Sequence, residues 1–535
     1  MSDWGDMWPD SRVESHYGDR VVPCFVQRPH SLYALLQEAT NLNPDGEAIV
    51  CGSHRLRYRD LYWQSTCFAM GLSKRGVVAG DRIALLLGNR HEFVVTLFAI
   101  ARLGAIAVPI STREQAPGVA YMLAHCGASV VVHEPDLGHL LPLEEEAQAL
   151  KFRIAIGSYE GSECYDAWMD ASTPTPVVDV QEEDTAVILY TSGTTGRPKG
   201  AMLTHLGIVH SSMHYKIAMG LSDKDCSIAA VPLSHVTGLV ASITTLILSA
   251  GKLVIMPNFK AVDFLHLAEL ECMTHTLMVP AMYNLCLLQT SFEELDLSKW
   301  RIGGFGGAPM PIATIDNLTR IVPSLTLMNC YGSTETTSPS TLMPRGHAKT
   351  HTDSVGIALA CVEMRVMDDL GYEVPHGDLG EIWIKGPMVV PGYWENSTAN
   401  AENFTAGFWH SGDIGAIDES GYVKVVDRKK DMINRGGYKI YTIEVENVLY
   451  AHPAVQECAV VSKPCAVLGE RVHAFVMLKE QSVAEAELAE FCRSRLSDYK
   501  VPESFTLSTT GLPRNANGKL VKRDLRDQLN RSLVV

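Results

Sequence analysis

Along the chain, short runs of consecutive apolar residues alternate with longer stretches whose apolar positions recur at helical spacing. IALLLGN, after Asp81-Arg82, reads as a buried strand, HEFVVTLFAIARLGA as a helix with a glycine stop, and IAVPI as the next strand. The alternation continues through VILYTSG, KLVIM, HTLMVP and RIGGFGGAP. Strand, helix, strand in succession predicts right-handed crossovers and a largely parallel sheet covered on both faces. After GYVKVV the pattern shifts. The charged, turn-rich DRKKDMINRGG is followed by a compact βα pattern of about a hundred residues, a domain-sized unit: EVENVLY, CAVVSK, HAFVML and the helical AEAELAEFCRSRL. This predicts a boundary near Lys430, with residues 1–429 as an N-terminal domain and 430–535 as a smaller C-terminal one. A length of 535 residues predicts two or more domains in any case.

Composition narrows the classes. A net charge of −16 weighs against nucleic acid as a partner. The 13 cysteines are scattered from Cys24 to Cys492 without a C-x-x-C pair, which fits reduced thiols in a cytoplasmic protein. MSDWGDMWPD carries no basic stretch leading into an apolar run, so a signal peptide is not expected. The most apolar stretch, Val240 to Met256, is interrupted by Gly251-Lys252 and is too short for a transmembrane segment.

Chemistry concentrates in a few motifs. Tyr190-Thr-Ser-Gly-Thr-Thr-Gly-Arg-Pro-Lys-Gly200 places hydroxyls, glycines and one lysine directly after a strand. Glycine lets backbone N–H groups approach an anion, and Thr191, Ser192, Thr194, Thr195 and Lys199 add donors around Gly193, as a triphosphate requires. The P-loop pattern of nucleoside triphosphatases is not met, because no hydroxyl follows the lysine. Asn329-Cys330-Tyr331-Gly332-Ser333-Thr334-Glu335 follows the strand LTLM, so its carboxylate falls at a sheet's C-terminal edge. There Tyr331 can stack on a base, Thr334 can donate to a phosphate, and Glu335 can hold Mg²⁺ through oxygen. Gly306-Gly307-Ala308-Pro309 reads as a tight turn. Asp413, after a glycine turn, is suited to accept from vicinal hydroxyls, or to cap that turn.

In this order and spacing, over nearly the whole chain, these segments resemble the superfamily of acyl-CoA synthetases, nonribosomal-peptide adenylation domains and firefly luciferase. The resemblance implies an α/β fold: a large N-terminal domain of two flavodoxin-like subdomains plus a β-barrel, carrying a small mobile C-terminal α+β domain. It places the phosphates of ATP on residues 191–199, adenine against Gly306–Pro309 and Asn329–Gly332, the ribose on Asp413 and Arg428, and Mg²⁺ on Glu335. It makes Lys430 the pivot of a domain rotation and Lys519, in Pro513-Arg-Asn-Ala-Asn-Gly-Lys519, the catalytic lysine. Gly436-Gly437 would line a tunnel for the pantetheine arm of coenzyme A; plant aryl-CoA ligases carry lysine where this chain has Gly436, so one contact to that arm would be missing. Lys429 and Asp431 are left as solvated charges.

The implied reaction is attack of a carboxylate on the α-phosphorus of ATP, giving acyl-AMP and pyrophosphate, then transfer of the acyl group to a thiol. Val231-Pro-Leu-Ser-His235-Val-Thr237 resembles the border of the acyl pocket, where His235 either orients the carboxylate or caps the following helix. HVTGLVAS has no acidic residue to pair with an amino acid's ammonium group, and LVASITTLILSA with Met282 and Tyr283 suits a fatty, aryl or other apolar acid. The leading expectation is an acid:CoA ligase. The alternative is a stand-alone enzyme loading an acyl or aryl group onto a carrier protein. A luciferase-like oxygenase lacks any specific feature here, and a non-catalytic nucleotide sensor is disfavoured by the presence of both Glu335 and Lys519.

Overall fold

A computed structural model describes residues 4–5, 7–172, 177–191, 197–308, 310–465, 467–479, 483–514 and 520–532. The chain divides into two units. The larger comprises residues 1–364, 383–410 and 421–423; the smaller comprises 365–382, 411–420 and 424–535.

The larger unit is built on two mainly parallel sheets. The first has seven strands in the order Lys199–Thr204, Thr185–Thr191, Ile106–Pro109, Arg82–Leu86, Val130–His133, Phe152–Ala155, Glu163–Cys164. All its pairings are parallel except the edge hairpin of Thr185–Thr191 with Lys199–Thr204. The second has nine strands: Ile357–Ala358, Thr341–Leu342, Thr326–Tyr331, Ile302–Gly306, His275–Met278, Cys226–Ala229, Lys252–Ile255, Glu47–Cys51, His54–Arg57. Its six central strands run parallel.

Sequence pattern accounts for the layers. In the helix His91–Arg102 every residue from Phe93 onward is buried, as befits a helix apolar on all sides and enclosed between layers. It shares one core with Ile83 and Leu85 of the first sheet and Ile49, Leu253 and Ile255 of the second. Buried strands of this kind read as unbroken apolar runs because neither face meets water.

The smaller unit contains a second kind of sheet. Val455–Cys465 and Gly469–Leu478 form a long antiparallel pair; Ser504–Ser508 joins the latter in parallel, and the hairpin Ile433–Arg435 with Tyr438–Ile440 completes it. EVENVLY, which the sequence pattern grouped with strands, lies within the helix Thr442–Tyr450. Val445 and Leu449, four residues apart, are its buried apolar pair, a spacing that a run of seven letters barely exposes. Residues 363–428 contribute strands to both units. Among the described residues no helix is long and apolar enough to cross a membrane.

Candidate active site

Four neighbouring parallel strands of the nine-stranded sheet lead into the candidate residues from their C-terminal ends. Cys226–Ala229 leads to His235 and Thr237, and His275–Met278 to Tyr283. Ile302–Gly306 leads to Gly307 and Ala308, and Thr326–Tyr331 to Gly332, Thr334 and Glu335. The crevice beyond such strand ends is where open α/β sheets bind ligands.

Glu335 is the best-defined group there. It sits in a single 3₁₀ turn, Thr334–Thr336, that Ser333 caps by accepting from the turn while its own N–H donates to the Thr336 hydroxyl. The side chain is buried (7% exposed) yet supplied with hydroxyl donors. Ser333 donates to Oε2 at 2.5 Å, Tyr393 to Oε1 at 3.0 Å, and the Thr191 hydroxyl lies 3.4 Å from Oε1. Burial, and then the charge of Glu335, hold the Tyr393 phenol well above its ordinary pKa, so it remains a donor. Thr191 faces Lys199 across the edge hairpin, and Ala201 bridges to Tyr393. The buried Lys199 ammonium stands 5.0 Å from the Tyr393 ring centroid, within cation–π range. Ser192, Gly193, Thr194 and Thr195 lie outside the described residues, as do Pro309 and Lys519. A carboxylate ringed by hydroxyl oxygens fits Mg²⁺, a hard ion that takes few protein ligands and keeps water and phosphate oxygens.

Gly306 ends its strand in register with Cys330. A Cβ on Gly306 would stand 2.4 Å from the Cys330 carbonyl oxygen, so only glycine lets the two strands run at this spacing. Gly307 and Ala308 then turn outward and are exposed. On the next strand the Asn329 amide donates to the Ser354 carbonyl at 3.2 Å. Cys330 is buried with its thiol pushed up by burial, which leaves it a packing residue rather than a nucleophile.

His235 and Thr237 lie at the start of an unusual helix. Its Nδ1 accepts from the Thr237 N–H at 3.4 Å and stands 3.3 Å from the Thr237 hydroxyl, a capping contact. Thr237–Thr244 is wound as a π-helix, with the Thr245 hydroxyl donating back to the Val240 carbonyl at 2.7 Å. Such windings concentrate at functional sites. Met282 is half-buried, whereas Tyr283 is wholly buried, stacked on Trp300, with its hydroxyl donating to the Gly304 carbonyl at 2.8 Å. Tyr283 therefore backs the core between strands.

The remaining candidates lie in the smaller unit. Asp413, on Phe408–Ile417, pairs with Arg428, on Val423–Arg428: Nε to Oδ1 is 2.8 Å, and Arg428 also donates to the Ser411 carbonyl at 3.1 Å. Lys430 follows in a turn, its ammonium pKa lowered by burial and by the positive neighbours Arg428, Arg526 and Arg523. Lys429 and Asp431 are not free surface charges. Lys429 pairs with Asp369 and Glu381 at 3.0 and 3.2 Å, and Asp431 accepts from Arg526 at 2.7 Å. Gly436 and Gly437 form the two-residue loop of the hairpin that pairs Arg435 with Tyr438, both at positive φ (+57° and +94°), as the tight hairpin turn demands. That requirement alone accounts for two glycines in sequence.

A family model described as AMP-binding enzyme matches residues 36–394, and one described as AMP-binding enzyme C-terminal domain matches 444–519. The chain belongs to the AMP-binding enzyme family. It is 34% identical to a feruloyl-CoA synthase of Amycolatopsis sp, over 91% of this chain and 96% of that protein. It is 32% identical to the long-chain-fatty-acid–CoA ligase FadD13 of Mycobacterium tuberculosis, over 92% and 97%. The structure of o-succinylbenzoate coenzyme A synthetase from Bacillus subtilis in complex with ATP and magnesium ion aligns with a TM-score of 0.82 at 28% identity, covering 94% of this chain and 99% of that one.

Two features of this AMP-binding enzyme escaped the sequence reading. Tyr393 supports Glu335 from 58 positions away, and a Gly-Tyr-Trp triplet before a helix gives no warning of that. Thr337 and Ser338, directly after the Glu335 turn, both adopt positive φ (+51° and +55°). For a β-branched threonine this is strained, and it is held by the Thr337 hydroxyl donating to the Met388 carbonyl at 2.7 Å.

Proposed function

We propose that this enzyme activates an apolar aryl or fatty acid with ATP and passes the acyl group to coenzyme A, releasing AMP and pyrophosphate. The observation that carries the reading is the buried, hydroxyl-ringed Glu335 at the shared C-terminal edge of four parallel strands, beside the Thr191–Lys199 hairpin. The ligase names of relatives covered almost end to end support the acid:CoA assignment.

In the first step a carboxylate must meet a polyanion. Lys199, the hydroxyls and N–H groups of residues 191–195 and the Lys519 ammonium oppose the charge on the phosphates as the new bond forms. Glu335, with Thr191 beside it, would hold Mg²⁺, which when bound would neutralise phosphate charge. Asp413 takes the ribose hydroxyls, with Arg428 fixing its carboxylate, and the adenine lies against Gly306–Ala308 beside Tyr331. In the second step the chain beyond Lys430 turns about that residue, withdrawing Lys519 and bringing Gly436-Gly437 to the pantetheine path. His235, Thr237 and the apolar π-helix behind them border the acyl group, and no acidic residue from His235 to Ser242 invites an ammonium group. Thirteen cysteines without a disulfide support a cytoplasmic setting.

Lys519→Ala separates the steps. Pyrophosphate release with acid and ATP should fall by on the order of hundreds-fold, the loss that follows removal of one well-placed charge. Thioester formation from supplied acyl-AMP should continue near the unaltered rate. Parallel loss of both would remove Lys519 from the catalytic role.

A further inference from the structure

The turn at Lys430 is crossed by a side-chain contact whose two ends lie on opposite sides of the pivot. Asp427, three residues before Lys430, is 1% exposed, and Thr442, twelve residues after it, is fully buried. The Thr442 N–H donates to Asp427 Oδ2, and the Thr442 hydroxyl donates to Oδ1 and Oδ2 at 3.1 and 2.9 Å. Lys522, on the final helix, donates to that hydroxyl at 2.6 Å and to Glu446 at 2.7 Å. The contact is buried, charge-assisted and multiply bonded, the class worth most in a dry interior.

A second contact at the same turn behaves differently. Arg526 donates to the Lys430 carbonyl at 3.0 Å and to Asp431 at 2.7 Å. The peptide plane joining Lys430 to Asp431 is rigid, so rotation about the Lys430 Cα–C bond carries that carbonyl along with Asp431 and everything after it. Arg526 therefore travels with its partners and opposes nothing. Asp427 does not travel. Rotation at Lys430 moves Thr442 away from it, and both of its carboxylate oxygens lose their Thr442 donors.

We propose that the Asp427–Thr442 contact is a latch across the hinge, making Asp427 and Thr442 positioning residues that set how the enzyme divides its time between the two half-reactions. This rests on Lys430 being the pivot, as assigned above. A latch present in one conformer and absent in the other shifts the populations by its full free energy, without touching substrate.

The test measures both half-reactions for Thr442→Val and Asp427→Asn: pyrophosphate release from ATP and acid, and thioester formation from supplied acyl-AMP and coenzyme A. The ratio of the two rates should change by at least about fivefold in both variants, the effect of losing one such hydrogen bond. Lys500→Met, which breaks the Lys500–Glu444 pair lying wholly beyond the pivot, should leave the ratio as it was. Equal falls in both half-reactions, tracking a lowered Tm, would reduce the contact to a structural prop and overturn the proposal. Amide exchange at Thr442 gives a readout independent of turnover. Its N–H should exchange faster in Asp427→Asn than in the unaltered enzyme, and unchanged protection would overturn the latch. If no acid yields acyl-AMP with the unaltered enzyme, the functional assignment fails, while the exchange measurement still decides whether the contact holds.

Discussion

A carboxylate with 7% of its surface exposed needs hydrogen bonds in place of the water it has lost, and hydroxyls supply them for Glu335. Of these donors Tyr393 is the most consequential, because its phenol is buried and stays protonated. Tyr393→Phe deletes one donor and little volume. The expected result is about a tenfold fall in pyrophosphate release, the cost of one hydrogen bond to a charged group, with a higher Mg²⁺ concentration needed for half-maximal rate. A magnesium titration of the variant checks it; an unchanged midpoint would detach Tyr393 from the metal site. At this scale the sequence points to candidates where they stand in contiguous letters. Asp413 and Arg428 were picked out fifteen positions apart, and the structure joins them. Tyr393 could not be found that way. Its role depends on a bridge to Ala201 that only the folded chain makes.

At the scale of elements, the glycines of this fold serve packing and turns as much as ligands. Gly306 allows two parallel strands to run close enough that a single methyl group would meet a backbone carbonyl at 2.4 Å. Gly306→Ala should therefore destabilise the larger unit by roughly 1–3 kcal/mol, the usual cost of overpacking, and, with adenine lying there as proposed, raise KM for ATP. Thermal melting together with an ATP titration checks both; a stable variant with unaltered KM would contradict the argument. The long apolar strands and the helix His91–Arg102 were legible because burial on all sides writes itself as unbroken apolar letters. The helix Thr442–Tyr450 was not, since its buried face amounts to a few positions inside a short mixed run. The π-winding of Thr237–Thr244 leaves no mark in composition, which suits an α-helix equally well.

For the whole molecule, four histidines fix an acid limit. His205, His210, His214 and His275 are each at most 1% exposed, and burial depresses their pKa values from 6.5 to about 4, 3, 4 and 4 respectively. Between pH 6.5 and those values the unfolded chain holds protons that the folded chain refuses. Stability is therefore full above about pH 6.5 and declines as pH falls, by on the order of 1.4 kcal/mol per histidine per pH unit. Urea unfolding at pH 7.5 and pH 5.5 should show a fall of several kcal/mol; equal midpoints at the two pH values would contradict it. The sequence reading also anticipated a large unit and a small one, but not that segments 365–382 and 411–420 cluster with the C-terminal residues, since a contact map is not written in linear order. Two-step ligation is tested most directly by ATP-to-AMP conversion. A panel of aryl, fatty and short acids is assayed with and without free coenzyme A. AMP and an acyl-CoA thioester should appear together for an aryl or fatty acid. Adenylate or pyrophosphate exchange without any thioester would contradict it, and would assign the second step to a carrier protein instead.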